Sequence, residues 1–201
     1  MKPICVLSVV FISLLAFGAA VAAQPMRLQT PRTSLLLYTP LTGGGGVASG
    51  VHIAKTASGD CWTGSSLTRR TDAYRCMVVN LIHDPCFADE SGSATFVLCP
   101  VSRPGSRVLK LKLTAPLPRN VSAPDPMRFA PWAVRLAGGR WCVALGGATA
   151  FIAGLRINYG CDGGGMLIGE PRRVSRTWTV LYGKGTKPSQ FRAVPVAAAW
   201  W

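Results

Sequence analysis

Trp132-Ala-Val-Arg-Leu-Ala-Gly-Gly-Arg-Trp-Cys-Val-Ala-Leu145 decides the class of fold. Two short runs of apolar, aromatic and β-branched residues flank a turn of Ala137, Gly138 and Gly139, the pattern of a β-hairpin. Outward along the chain the pattern recurs. Residues 155–161, the turn Asp162-Gly163-Gly164-Gly165 and residues 166–169 read as a second hairpin. Val108-Leu-Lys-Leu-Lys-Leu113 alternates apolar and basic residues with period two, which predicts a half-buried strand. Residues 95–98 and 177–182 are short β-rich runs, and residues 73–81 fit either a strand or a turn of helix. Prolines at 100, 104, 116, 118, 124, 126 and 131 exclude long helices from the middle of the chain. The predicted fold is all-β, a small disulfide-stapled barrel or sandwich of short strands and hairpins, rich in loops.

The cysteines set the compartment. Met1-Lys2, an apolar run over residues 4–17 and Gly18-Ala-Ala-Val-Ala-Ala23 have the three parts of a secretory leader. Cleavage is expected after Ala22 or Ala23. The competing reading is an uncleaved anchor, since residues 4–23 carry no charge and just span a bilayer. Cys5 lies in the leader. Cys61, Cys76, Cys86, Cys99, Cys142 and Cys161 lie beyond it, an even number in a chain bound for an oxidising compartment. All six are expected to pair, with sequence neighbours joined: Cys61–Cys76, Cys86–Cys99 and Cys142–Cys161. The expected organisation is a signal peptide over 1–23, an extended or partly ordered lead-in over 24–58, the disulfide-stabilised β domain over 59–184 and a tail over 185–201. The mature chain has no stable transmembrane segment in this reading, and its location is extracytoplasmic: secreted, periplasmic or in the cell envelope.

Charge bounds the partners. The chain has 22 Lys and Arg against 8 Asp and Glu, a formal charge of +14. A surplus of this size attracts polyanions such as cell-wall polymer, lipopolysaccharide or nucleic acid. Arg69-Arg70 and Arg172-Arg173 with Arg176 are the candidate binding residues, for an anionic polymer or a protein partner. The bland alternative is a solvated cationic surface.

A faint echo links two parts of the chain. Arg70, Tyr74 and Cys76 are matched by Arg156, Tyr159 and Cys161, each set following a cysteine beside a tryptophan, Cys61-Trp62 or Trp141-Cys142. A repeated ligand patch and a recurring corner where an aromatic covers a disulfide both fit, the second better. Asp84-Pro-Cys-Phe87, Cys99-Pro100, Pro131-Trp-Ala133, Asn158-Tyr-Gly-Cys161 and Trp178-Thr-Val180 resemble a family of uncharacterised secreted disulfide-rich bacterial proteins, over about residues 59–183. The resemblance implies export and a shared disulfide scaffold. It implies no activity.

Catalytic patterns are thin. His52 and His83 are the only histidines, and no serine sits in a nucleophile elbow. His83 is the one weak catalytic candidate, beside Asp84. Cys61 as a nucleophile would strand a partner thiol. Gly43-x-Gly45-x-x-Ala48 lacks the βαβ context of a dinucleotide loop, and His83-Asp84-x-Cys86 lacks a second cluster of metal donors. No cofactor and no metal are expected. Asn120-Val-Ser122 is a glycan acceptor only in a host with that machinery. The reading is a non-enzymatic binding domain engaging anionic polymer. The alternatives are a secreted hydrolase of wall or host polymer and an outer-membrane-associated β protein, the last suggested by Trp200-Trp201.

Overall fold

The computed structural model describes residues 31–89, 94–121, 125–147, 149–152, 154–185 and 188–201. The leader, in either of its readings, lies outside them. Thirteen strands follow in chain order: β1 (Ser34–Leu36), β2 (His52–Gly64), β3 (Ala73–Val78), β4 (Leu81–Phe87), β5 (Phe96–Pro100), β6 (Arg107–Leu113), β7 (Ala133–Leu136), β8 (Trp141–Ala144), β9 (Phe151–Ile152), β10 (Leu155–Cys161), β11 (Gly165–Arg172), β12 (Thr179–Lys184) and β13 (Phe191–Trp200). One turn of 3-10 helix covers Pro126–Arg128, capped by Asp125, whose side chain accepts from the Met127 amide. The protein is all-β.

Two closed barrels carry the fold. Strands β2 to β6 meander antiparallel and close through a parallel β2–β6 seam. An odd number of meandering strands makes the first and last run in the same direction, so the closure has to be parallel. The second ring runs β7–β8–β10–β11–β12–β13 and closes where Leu136 to Ala133 of β7 meet Val196 to Trp200 of β13. β1 adds in parallel to the end of β13, and β9 pairs with the start of β10. Closure removes free sheet edges.

Each barrel has its own core. Val97, Leu109 and Leu111 fill the first around the Cys61–Cys76 and Cys86–Cys99 disulfides. Val134, Tyr159, Leu167, Val180 and Val196 fill the second around Cys142–Cys161. A third cluster of Tyr38, Phe87 and Trp132 joins them, with ring centroids 5.3 to 6.3 Å apart. Cys61 faces Cys76 and Cys142 faces Cys161 directly across neighbouring strands. Pairing of sequence neighbours therefore follows from hairpin register.

Two boundaries differ from the sequence reading. The stretch taken as a tail forms β13, a long strand common to both seams of the second barrel, and Trp201 after it is fully buried. The stretch taken as a lead-in supplies β1, the buried Tyr38 and the first half of β2. Small residues hid β13: Ala197, Ala198 and Ala199 give no amphipathic signal, yet at a crowded closure they let β1 and β7 flank the strand closely.

Candidate functional site

Inward-facing residues of a barrel recur at every second position along each strand. In the second barrel Cys142 and Ala144 of β8, Val180 and Tyr182 of β12, and Val194 and Val196 of β13 point into the core. Counting one step further toward the end that carries turns 137–140 and 162–164, those three rows finish in Arg140, Lys184 and Arg192. The rows of β7 (Val134, Leu136), β10 (Tyr159, Cys161) and β11 (Leu167) finish at the same end in Gly138, Gly163 and Gly165. The mouth of the barrel is thus ringed by three long cations and three glycines.

The mouth is open on one side. The ladder of β7 with β13 begins at Val196, and one further bond runs from the Ala137 amide to the Pro195 carbonyl, so residues 191–194 lie beyond the β7 pairing. This notch is a cleft of about 560 Å³ lined by Gly138, Arg140, Tyr182, Lys184 and Arg192, with Val194 among the apolar residues. Among the described residues no carboxylate lines it. The Arg140 guanidinium lies over the Tyr182 ring, 5.6 Å from its centroid, and donates through Nη1 to the Asp162 carbonyl. The carboxylate of Asp162 is engaged elsewhere, 3.1 Å from Arg103 Nη1. Tyr182 and Arg192 are direct cross-strand partners. Three cations from three inward rows therefore meet over a buried ring with no carboxylate among the described lining residues.

A second basic cleft adjoins it. Trp141, next to Arg140, stacks against Trp200 at 4.5 Å and carries Arg103 and Arg135 on its flanks at 5.3 and 5.8 Å. With Arg107 and Ser106 it lines a space of about 370 Å³.

The arginines singled out in the sequence divide into two kinds. Arg70 is buried and structural. It forms a two-pronged pair with Asp72, its Nη1 donates to the carbonyls of Tyr38 (2.7 Å) and Trp201 (3.1 Å), and it covers the Phe87 ring. Arg173 lies across Trp178 and Trp201 and donates to the carbonyls of Met127 and Phe129, tying the 3-10 turn to the barrel. Arg69 covers the Phe129 ring at 5.4 Å. Two clusters a hundred residues apart in sequence thus converge on Phe129. Arg69, Arg172 and Arg176 are exposed.

The remaining candidates find structural places. His83 lies on β4, and burial, helped by the Lys55 ammonium, holds its imidazole below the ordinary histidine range. Asp84 turns to the opposite side of the strand. Its carboxylate accepts from the Ser65 hydroxyl and from the amide and hydroxyl of Ser66, with Arg75 Nε 3.8 Å away. Histidine and carboxylate are therefore not paired. Cys61 is a half-cystine. Asn120 spends its side-chain amide on the carbonyls of Arg70, Thr71 and Ala73, which leaves it closed to a glycan. Residues 42–46 form a tight turn with Gly45 at φ +76°, bridged by Leu41 and Val47. Among the described residues no cluster of three or more His, Cys, Asp or Glu forms a metal site.

The echo proves to be scaffold. Tyr159 and Tyr74 each pack beside the cystine that follows them in sequence. Burial pushes both phenols up, and Tyr159 donates to the Pro131 carbonyl at 2.7 Å. Arg156, the counterpart of Arg70, is exposed and bonds Thr149. The mouth residues Arg140, Lys184 and Arg192 were missed in the sequence. Period-two counting from Cys142, Tyr182 and Val194 would have placed them, once the last seventeen residues were read as strand.

The protein is a disulfide-stapled pair of small β-barrels with a cationic cleft at one barrel mouth. No family model matches the chain, and neither a curated protein nor a solved structure matches it.

Proposed function

We propose that this protein is an extracytoplasmic, non-enzymatic binding domain that holds anionic polymer through its arginine-rich surface. The supporting observation is the meeting of Arg140, Lys184 and Arg192 at a cleft without a lining carboxylate among the described residues. Like charges held together raise the local potential and are kept only against a cost in folding stability. The exposed Arg69, Arg172 and Arg176 extend the basic surface beyond the cleft. Three disulfides fit an oxidising location, and no helix among the described residues is long and apolar enough to cross a membrane. The hydrolase reading has no comparable support, since His83 lacks a carboxylate partner. Trp200 and Trp201, which suggested an outer-membrane girdle, pack at the barrel junction and in the second core.

The test is affinity for heparin or teichoic acid as a function of salt. Each anionic contact releases a counterion, so log affinity falls linearly with log salt, with a slope of about −0.9 per contact on a polymer as densely charged as duplex DNA. Binding that weakens steeply with salt, and whose slope flattens in Arg172→Ser/Arg176→Ser or Lys184→Ser/Arg192→Ser, is the expected result. Absence of binding at about 50 mM salt, where screening is weak, overturns the proposal.

A further inference from the structure

We infer that the mouth of the second barrel is a socket for a single tetrahedral oxyanion, a phosphate or sulfate ester carried on a flexible polyol or glycan chain. The inference rests on the polymer-binding reading and names what one site of it accepts. Four observations carry it. The three cations end the inward rows of three different strands, so they point at one place instead of lying along a stripe. A rod-shaped duplex presents its charges along a line and is matched by a stripe. A pendant ester is a point charge and is matched by a convergence. Second, the glycines seat the site's own side chains and leave one open position. A Cβ at Gly165 would come 2.7 Å from the Tyr182 hydroxyl and one at Gly163 would sit 3.0 Å from Arg140 Nη1, so these two let Tyr182 and Arg140 pack against the backbone, whereas a Cβ at Gly138 would meet nothing within 4 Å. Third, Tyr182 is only 6% exposed and its face is already covered by Arg140. The ring beneath the cations is therefore not free for the base stacking on which single-stranded nucleic acid depends. Fourth, one N–H of Arg140 is used by the Asp162 carbonyl, which fixes the guanidinium and leaves its remaining donors for the forked recognition that oxyanions accept.

The experiment uses the folded, oxidised protein with inorganic phosphate and sulfate as probes, against chloride at equal ionic strength. Phosphate or sulfate at millimolar concentration should displace heparin beyond the effect of chloride, and should shift the amide resonances of Gly138, Lys184 and Arg192. Arg140→Ser should weaken phosphate binding about tenfold or more, the loss of a charged hydrogen-bonding group. Arg140→Lys keeps the charge but loses the fork, and should fall between the two. Arg119→Ser, a change at a distant exposed arginine, should leave phosphate affinity unchanged. Because Arg140 covers Tyr182, the exposed pair Lys184→Ser/Arg192→Ser serves as a second variant should Arg140→Ser not fold. If phosphate competes no better than chloride, or moves no resonance at the mouth, the socket is overturned while steep polymer binding elsewhere still stands. If phosphate binds at the mouth and no polymer binds at all, the polymer reading falls and the socket remains.

Discussion

Arg70 brings together three segments distant in sequence. Its guanidinium joins Asp72, the Tyr38 carbonyl and the Trp201 carbonyl, with 9% of the residue exposed. Truncation would strand a buried carboxylate and two carbonyls. Arg70→Ala should therefore cost about 3–5 kcal/mol, read as a lowered urea midpoint with unchanged slope. The neighbouring Arg69→Ala should cost little, because its contact is one exposed ring. Val79 has the opposite character. It is 85% exposed, lies in the β3–β4 turn and has φ +56°, the left-handed region that a β-branched residue resists. Val79→Gly removes that strain and little packing, so a gain of about 1 kcal/mol in the same measurement is expected. His83 sets a pH dependence. Its folded-state pKa is below the ordinary value, so below the ordinary value the unfolded chain binds more protons than the folded one. Its contribution is present above that value and is lost as pH falls through it toward the lowered folded value. The stability difference between about pH 7.5 and about pH 5.5 should shrink in His83→Gln. The pair Arg69-Arg70 also shows how far residues alone can be read: two adjacent arginines look identical in sequence, and only the approach of Tyr38 and Trp201 makes one of them a core residue.

At the scale of elements, the hairpins with glycine turns were legible and the strands around them less so. β7 and β8, β10 and β11, and β6 follow from period-two patterns and turn chemistry. β2 did not, because its first nine residues are all exposed or half-exposed and show no alternation; a long pairing with β6 holds it. β4 was obscured by Asp84-Pro85. Pro85 is tolerated because β4 meets β5 at only one register pair, Phe87 with Leu98, and a strand so lightly paired does not need every amide. The disulfides act on these elements. Cys142–Cys161 closes a loop with a sequence separation of 19 across the β8–β10 seam. In the chain-entropy model it contributes about 3 kcal/mol, so Cys142→Ala/Cys161→Ala should lower the midpoint of the oxidised protein by that amount.

For the whole molecule, β13 and the residue after it matter most. Trp201 is fully buried, donates from Nε1 to the Phe129 carbonyl and meets Trp178 edge to face at 6.0 Å. Trp201→Ala should cost about 3–5 kcal/mol. It should also loosen the Arg173 anchor of the 3-10 turn, seen as faster amide exchange at Arg128 and Phe129, whose amides bond the turn's own carbonyls. Charge belongs to the same scale. Residues 131–201 contain nine Lys and Arg against two acids, Asp162 and Glu170, a surplus of seven. Sequence shows the surplus, and folding decides that three of those cations share one barrel mouth.

The all-β class, the hairpins, the pairing of neighbouring cysteines and the basic character follow from local pattern and composition. Each depends on contacts between residues close in the chain or on composition. Tertiary structure decided that the strands close into two barrels, that residues 185–201 complete the second, that Arg70 lies inside and that Arg140, Lys184 and Arg192 meet. Closure joins strands up to some sixty residues apart, and which face a residue takes is fixed by register. Register is set by packing against partners that a local pattern does not contain.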